Sequence, residues 1–199
     1  MVATTTVNPP DMRFEPETTK RHDLLLERVL RQDADALDGF CRQEHPRIWR
    51  VAFGLLGDAS QADDLAQEAL IRLLDRLPGR DPQRSFASWR DTLVINLCRD
   101  HLRSTTNRRR FEGQAPALPA RLPAPDAALR QDELRGLLSE ALKLLPPRER
   151  EVFVLRDLEG CSNAQVAESL GIQESSVRSL LSLSRGRLKS ALAHRLGGV

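Results

Sequence analysis

The chain has 199 residues, 40% of them hydrophobic and 29% charged, which fits one medium folded domain or two small ones and excludes a disordered chain. No apolar segment approaches the roughly 20 residues that cross a bilayer, and no apolar signal stretch begins the chain, so we expect a cytoplasmic protein without membrane insertion. The formal net charge of +2 averages acidic and basic segments, so the distribution of charge is more informative than its sum.

The amino-terminal part is predicted to be a flexible leader followed by helix. Residues 1–22 are polar, rich in threonine and interrupted by prolines, which favours a flexible segment. From Asp23, apolar residues recur at spacings of three and four as far as Leu56, which predicts helix. Gly57 and Asp58 then predict the end of this helical stretch.

Two further helices are predicted over residues 59–77 and 85–105. The first has an apolar stripe of alanine and leucine, and residues 57–68 carry four acids and no base. The side chains that the second is predicted to bury are Phe86, Trp89, Leu93, Ile95 or Leu97, and Leu102. Since no segment has the sustained alternation of a strand, the fold class is predicted to be all-α.

A proline-rich segment separates two helical regions. Residues 111–126 contain four prolines, which remove helix hydrogen bonds and favour an extended linker. Beyond it, residues 127–145 predict a helix, and Pro146 and Pro147 predict its end and the start of another, which continues to Gly160. The predicted organisation is two small helical domains joined by a linker, with the boundaries 1–22, 23–110, 111–126 and 127–196.

Residues 161–188 have the features of a helix-turn-helix motif. Ser162 and Gln165 are spaced as a capping box, Gly171 suits a tight turn, and a second helix is predicted from about Glu174. The second helix of such a motif enters the major groove of DNA. The candidate base-reading residues are Ser175, Ser176, Arg178 and Ser179, and the candidate phosphate-binding residues are Arg185, Arg187 and Lys189. The alternative is an ordinary helical hairpin within a bundle.

A second basic surface is predicted at the end of the 85–105 helix. Asn96, Arg99, Asp100 and Arg103 recur at spacings of three and four, so they share one face of the helix. Three arginines, Arg108, Arg109 and Arg110, follow and are candidates for phosphate binding, which releases counterions and makes affinity depend on salt. The alternative is a solvated charged face before a linker.

The helix predicted over residues 59–77 carries Asp64, Gln67 and Glu68 on its polar side, which favours a docking surface for a basic partner. A carboxylate metal site would need histidine partners at matching spacing, and the sequence has none. The alternative of a hydrolase that uses Asp63, Asp64 and His101 is disfavoured, because no phosphate-binding loop or nucleophile motif accompanies them. The widely spaced Cys41, Cys98 and Cys161 are interpreted as small buried hydrophobic residues. We therefore predict no catalytic residue, metal or cofactor.

Three segments resemble the sigma-70 family in its extracytoplasmic-function (ECF) branch, across residues 23–196. They are QADDLAQEALIRLLDRL, SFASWRDTLVINLCRDHLR and LPPREREVFVLRDLEGCSNAQVAESLGIQESSVRSLL. The resemblance implies a sigma-2-like domain that binds core RNA polymerase and the −10 element, and a sigma-4-like domain that reads the −35 element. It also implies a non-enzymatic alternative sigma factor that is monomeric when free and controlled by an anti-sigma factor.

The same resemblance assigns roles to individual residues. It implies that Asp63, Asp64, Gln67 and Glu68 dock on the clamp helices of the largest polymerase subunit. It implies that Asn96, Arg99, Asp100 and Arg103 capture the −10 element.

One departure from the family pattern concerns the recognition helix, where Leu180, Ser182 and Leu183 stand in place of basic or polar residues. We expect either weak −35 binding with a leucine patch for a protein partner, or packing of these leucines within the domain. The alternative function is a dimeric helix-turn-helix regulator that acts without polymerase docking.

Overall fold

The computed structural model describes residues 16–112 and 126–196, with side chains described over 21–106, 135–191 and at Ala193. The helices are α1 (Pro16–Leu30), α2 (Ala34–Leu56), α3 (Ala59–Arg76), α4 (Phe86–Glu112), α5 (Asp126–Lys143), α6 (Pro147–Phe153), α7 (Asn163–Leu170) and α8 (Glu174–Leu196). These described ranges contain no strand, so the all-α prediction is confirmed. None of their helices is long and apolar enough to cross a membrane.

The structure forms two compact units, the first ending at Phe40 and the second beginning at Cys41. The core of the first unit contains Leu26 and Val29 of α1 and Ala36 and Phe40 of α2. Burial of such side chains contributes about 1.5–3 kcal/mol each for the larger ones.

The first helix begins earlier than the sequence predicted. Helix was expected from Asp23, after a leader over 1–22, whereas α1 begins at Pro16. A proline fits the first position of a helix because no hydrogen bond is required of its nitrogen there and its φ is already helical. The proline that argued against helix therefore marks its beginning, and residues 1–15 lie outside the described part of the chain.

Helices α3 and α4 form most of the amino-terminal half of the second unit, which we define as residues 41–112. Asp58 caps α3 by accepting a hydrogen bond of 2.9 Å from the Gln61 N–H. The apolar stripe of α3 is buried through Ala62, Leu65, Ala66, Ala69, Leu70 and Leu73. Helix α4 is covered by α3, and both Ile95 and Leu97, which the sequence left as alternatives, are buried.

The prediction that Leu102 is buried was wrong, because this side chain is 36% exposed. From Leu102 to Thr106 the side chains are exposed or partly exposed, so the packed portion of α4 ends before its last turns. The helix itself continues to Glu112, beyond the predicted end at 105, and thereby includes the start of the predicted linker. Residues 113–125 of that linker lie outside the described part of the chain.

The helix-turn-helix prediction is confirmed in the carboxy-terminal half of the second unit, which we define as residues 126–196. Both hydrogen bonds of the capping box between Ser162 and Gln165 are present, and Gly171 ends α7 in the left-handed conformation at φ 64°. The side chains buried between the helices include Val166, Ala167, Leu170, Val177, Leu181 and Leu188. Before the motif, α6 begins at Pro147 as predicted, but it gives way to a π-helical turn, Val154–Leu158, rather than continuing as α-helix to Gly160.

Candidate functional site

Four residues of α3 form an exposed surface that we call the acidic ridge: Asp63, Asp64, Gln67 and Glu68. Glu68 pairs with Arg72 one turn later, whereas the opposite side of the helix is buried. Because all four side chains are exposed, a basic surface of a partner could reach the acidic ridge.

The histidine of the hydrolase alternative is engaged elsewhere. His101 Nε2 lies 2.9 Å from the side-chain oxygen of Gln61, and this contact joins α4 to α3. Within residues 16–112 and 126–196, no group of three or more histidine, cysteine, aspartate or glutamate side chains is arranged to hold a metal ion.

The polar residues predicted to contact the −10 element lie together on α4, and we call them the basic face: Asn96, Arg99, Asp100 and Arg103. Arg99 Nη1 donates to Asn96 Oδ1 at 3.1 Å, and Arg103 lies 3.6 Å from Asp100. Asn96, Asp100 and Arg103 are exposed. Arg108, Arg109 and Arg110 fall within the last turns of α4 rather than after it, and their side chains lie outside the described residues.

Arg99 is held by an acid from the other half of the unit. Its Nε and Nη2 donate to the two carboxylate oxygens of Glu151 in α6, each at 2.7 Å. The Glu151 side chain is only 6% exposed, so this is a bidentate ion pair with little water around the acid. Hydrogen bonding to Glu151 raises the pKa of Arg99 despite partial burial. Burial and the nearby Glu151 carboxylate raise the pKa of the Cys98 thiol to about 12, which keeps it protonated.

A buried polar cluster surrounds Asp91 of α4, whose side chain is 3% exposed. Asp91 accepts hydrogen bonds of 2.9 Å from both Arg47 Nη2 and Arg90 Nε. Burial opposes its charge, but the Arg90 and Arg47 guanidinium groups outweigh this and hold the pKa of Asp91 below its usual value. Arg90 in turn donates to Glu44 at 2.6 Å. Three buried charged groups and the partly buried Arg47 are thus held together with opposite signs paired.

Cys161 enters this cluster from the carboxy-terminal half. Arg47 Nη2 lies 3.0 Å from its sulfur, and the sulfur lies 3.8 Å from Asp91 Oδ2. The residue is buried as predicted, yet it contacts charged groups rather than only apolar ones. Burial and the Asp91 carboxylate raise the pKa of its thiol. The sequence offered no local signal for this contact, since its partners are distant along the chain.

A second acid of the carboxy-terminal half, Glu159, binds two arginines of α2. Arg50 donates from Nε and Nη2 to its two oxygens at 2.8 and 2.9 Å, and Arg47 Nη1 lies 3.5 Å away. The Glu159 side chain is 3% exposed. Arg47 and Arg50 are three residues apart and so share a face of α2, which is the one pattern in the sequence that could have indicated an acidic partner.

The predicted base-reading residues of α8 are accessible. Ser175, Ser176, Arg178 and Ser179 are all exposed in the first turns of the helix. Arg178 lies 3.9 Å from Glu174 one turn earlier, a loose surface pair that contributes at most a few tenths of a kcal/mol. This end of α8 therefore presents its polar side chains to solvent.

Two arginines further along α8 bind acids of α6 and of the π-helical turn that follows it. Arg185 donates to both oxygens of Asp157 at 2.8 and 2.6 Å, and Arg187 Nε lies 3.0 Å from Glu149. Both arginine side chains remain more than half exposed, and Lys189 is exposed. Their predicted phosphate contacts stay predictions.

The leucines that depart from the family pattern differ from each other. Leu183 is 53% exposed, whereas Leu180 is half-buried. A patch for a protein partner would therefore depend mainly on Leu183, and the hypothesis of weak −35 binding stays a prediction.

Two family models match the chain, one over each half of the second unit. Sigma-70 region 2 matches residues 40–109, which include the acidic ridge and the basic face. Sigma-70, region 4 matches residues 135–188, which include the helix-turn-helix.

The curated relatives of the chain are also named RNA polymerase sigma factors. The chain is 30% identical to the ECF RNA polymerase sigma factor SigM of Mycobacterium tuberculosis, over 96% of this chain and 94% of SigM. It is 33% identical to the ECF RNA polymerase sigma factor SigE of Mycolicibacterium smegmatis over 78% of this chain, and 31% identical to the probable RNA polymerase sigma factor RfaY of Xanthomonas campestris over 87%. It spans 61% of the length of SigE and 46% of that of RfaY.

Solved structures share the fold. CnrH, in complex with the cytosolic domain of CnrY, matches with a TM-score of 0.65 and 21% identity, over 86% of this chain and 96% of CnrH. The sigma factor RpoE of Bartonella quintana, in complex with the anti-sigma factor NepR, matches with a TM-score of 0.64 and 20% identity, over 83% and 97%. With both regions in order and a relative matched almost end to end, the chain belongs to the ECF branch of the sigma-70 family of RNA polymerase sigma factors.

Proposed function

We propose that the chain is an alternative sigma factor that binds core RNA polymerase and directs it to promoter DNA, without catalysing a reaction itself. The observation that carries the proposal is the presence of three separate accessible surfaces on one small chain. These are the acidic ridge of α3, the exposed residues Asn96, Asp100 and Arg103 of the basic face of α4, and the first turns of α8. A simple DNA-binding regulator needs only the last of them.

The acidic ridge is the proposed polymerase contact. Its carboxylates are exposed and its helix is fixed from behind by buried leucines, so the ridge is preorganised for a basic partner. Charge complementarity of this kind mainly increases the association rate and selects the partner. Asp63, Asp64, Gln67 and Glu68 are the residues that we expect at this contact.

The two polar helices are the proposed DNA contacts. The first turns of α8 would read the edges of the −35 bases. The phosphates of the −35 element would be contacted by Arg185, Arg187 and Lys189. The basic face of α4 would bind the −10 element, with Arg108, Arg109 and Arg110 near the adjoining backbone. Trp89 is half-buried and stacks at a tilt against Phe86, with 5.7 Å between ring centroids, so we do not assign it to base unstacking.

An anti-sigma protein is the proposed regulator. The Bartonella RpoE is bound to the anti-sigma factor NepR in its structure, and CnrH is bound to the cytosolic domain of CnrY. We expect a partner of this kind to bind this chain too. We expect both partners to be met in the cytoplasm, where polymerase and promoter DNA are.

The decisive experiment reverses charge on the acidic ridge. Asp64→Lys and Glu68→Lys should each weaken binding to core RNA polymerase from the same organism by at least about tenfold, or about 1.4 kcal/mol, because like charges would then face each other. Binding is measured by fluorescence anisotropy of the labelled chain. Run-off transcription from a pool of genomic fragments should fall in parallel.

Glu27→Lys is the matched control, since Glu27 is an exposed acid of α1 and its reversal changes the net charge by the same amount. This control should bind core polymerase as the unaltered chain does. If both ridge variants also bound with unchanged affinity, the assignment of the acidic ridge would have to be given up.

A further inference from the structure

The outer surface of α8 consists mainly of small side chains. Its exposed serine and glycine residues are Ser175, Ser176, Ser179, Ser182, Gly186 and Ser190. Between Glu174 and Ser190, Leu183 is the one large apolar residue that is exposed, and 53% of it is accessible to solvent. This leucine therefore stands among small polar neighbours on the proposed DNA-reading helix.

Leu183 points to the same side of α8 as two of the serines that are predicted to read bases. Ser176 and Ser179 precede it by seven and four positions, which are the spacings of residues on one helix face. Val177 and Leu181, on the opposite side, are buried in the helix-turn-helix. Packing of that side fixes the direction in which Leu183 projects.

The nearest arginines of α8 are held by acids of the same half of the unit. Arg187 follows Leu183 by one turn, but its Nε lies 3.0 Å from Glu149. Arg185 donates to both oxygens of Asp157. Leucine itself forms neither hydrogen bonds nor ion pairs, so any part that Leu183 plays in recognition has to come from apolar contact.

The position of Leu183 suits a contact with base edges in the major groove. The second helix of a helix-turn-helix lies in that groove. Leu183 is two helical turns beyond Ser176, or about 10.5 Å along the axis, which corresponds to about three base pairs of duplex DNA. Because Ser179 and Gly186 on either side are small, Leu183 projects furthest from the helix on this face.

The major groove offers a leucine one apolar partner on the bases. Guanine, cytosine and adenine present hydrogen-bond donors and acceptors there, whereas thymine also presents its C5-methyl group. Contact between leucine and this methyl group removes apolar surface of both from water. A leucine placed against a donor or acceptor would instead leave that polar group without a partner. The position that Leu183 faces should therefore be occupied by thymine.

We propose that Leu183 is a specificity-determining residue of the −35 contact, which selects thymine by contact with its C5-methyl group. The proposal rests on the proposed function, since it presumes that α8 enters the major groove of promoter DNA. It adds a residue that reads by apolar contact to the serines and Arg178, which would read by hydrogen bonds. It also assigns the exposed leucine to DNA rather than to a protein partner.

A selection experiment locates the base that Leu183 reads. A promoter is first obtained from genomic fragments by run-off transcription with core RNA polymerase of the same organism, and its −35 region is then randomised. Fragments retained by holoenzyme with the unaltered chain should be enriched in thymine at one position. Leu183→Ser should lose this enrichment and keep the preferences at the other positions. Leu183→Arg should enrich guanine there instead, because a guanidinium binds the O6 and N7 atoms of guanine.

Removal of a single methyl group tests the contact itself. Replacing the selected thymine by deoxyuridine leaves base pairing unchanged and removes only the C5-methyl group. Holoenzyme with the unaltered chain should bind the uracil promoter about fourfold more weakly than the thymine promoter. Holoenzyme with Leu183→Ser should bind both promoters equally, as measured by fluorescence anisotropy of the labelled DNA.

Leu144→Ser is the matched control, since Leu144 follows α5, lies outside α8 and is 54% exposed. This variant should retain both the thymine enrichment and the fourfold difference. Equal binding of the thymine and uracil promoters by the unaltered chain would overturn the proposal. Thymine enrichment that persisted in Leu183→Ser would overturn it too, and weaker binding of that variant to core polymerase would then assign the leucine to a protein contact. If holoenzyme with the unaltered chain yielded no promoter at all, the proposed function would fail instead.

Discussion

Asp91 shows how a single acid organises the interior of the second unit. Its carboxylate bonds Arg47 and Arg90, and through Arg47 it is linked to Cys161 of the other half. A buried charge is tolerated only when it is paired and hydrogen-bonded, so removing one member leaves the others uncompensated. The free energy of unfolding should therefore be sensitive to the ionisation of this residue.

Asp91→Asn should lower the free energy of unfolding at pH 7 by about 3 kcal/mol, because two arginines lose their carboxylate. The pKa of Asp91 is lowered in the folded chain, so its contribution is complete above the pKa of the unfolded chain and is lost as pH falls through the folded pKa. Urea unfolding at a series of pH values from 7 downward should show a shallower acid decline for the variant than for the unaltered chain. An equally steep decline in both would contradict this role of Asp91.

At the residue scale the sequence predicted exposure better than partnership. The acidic ridge and the α8 reading residues are exposed as their helix positions indicated. Arg99 was predicted for DNA, yet its carboxylate partner Glu151 could not be anticipated, because the two residues are distant in sequence and neither position carries a local signal. Cys161 was predicted to be buried, and the Arg47 guanidinium against its sulfur was not foreseen for the same reason.

At the scale of elements, local rules predicted the helix-turn-helix well. The capping box of Ser162 and Gln165 and the left-handed Gly171 are both determined by residues within a few positions of each other. The end of α4 and the start of α1 were less predictable, because a polar helix end has no apolar stripe and Pro16 also fits a loop. The π-helical turn had no recognisable signal in the sequence.

Two glycine substitutions should act in opposite directions. Gly171→Ala places a side chain at φ 64° and should destabilise the protein by about 1 kcal/mol. Gly186 lies within α8, and a Cβ atom there would meet open space. Gly186→Ala should therefore stabilise the protein by about 0.5–1 kcal/mol, since alanine restricts the unfolded chain. Chemical denaturation of the pair gives both values. A stabilising Gly171→Ala would show that the turn relaxes.

For the whole molecule, the sequence predicted an all-α chain with two helical regions but not their packing. The contacts between residues 41–112 and 126–196 depend on single pairs such as Gly54 with Val154, which no periodicity or spacing reveals. Family resemblance carried the functional prediction further than physical pattern did, because it joined three weak local signals into one arrangement. The domain boundaries at 110 and 127 stay predictions.

The free chain should be a monomer. Sedimentation equilibrium should return about the mass of one chain, 22.3 kDa, because its two halves bind each other rather than a second copy. A dimeric helix-turn-helix regulator would return twice that mass across micromolar concentrations and would bind duplex DNA tightly without polymerase. A stable dimer would favour that alternative over a sigma factor.

The π-helical turn Val154–Leu158 lies between Glu151 and Glu159 and changes the angle between these two positions around the helix axis. In a regular α-helix, residues eight positions apart point about 80° away from each other around the axis. The hydrogen bond from the Glu159 N–H to the Val154 carbonyl widens one turn and so reduces that offset. One short segment interrupted by a single irregular turn thus supplies two carboxylates to arginines of residues 41–112, Glu151 to Arg99 and Glu159 to Arg50.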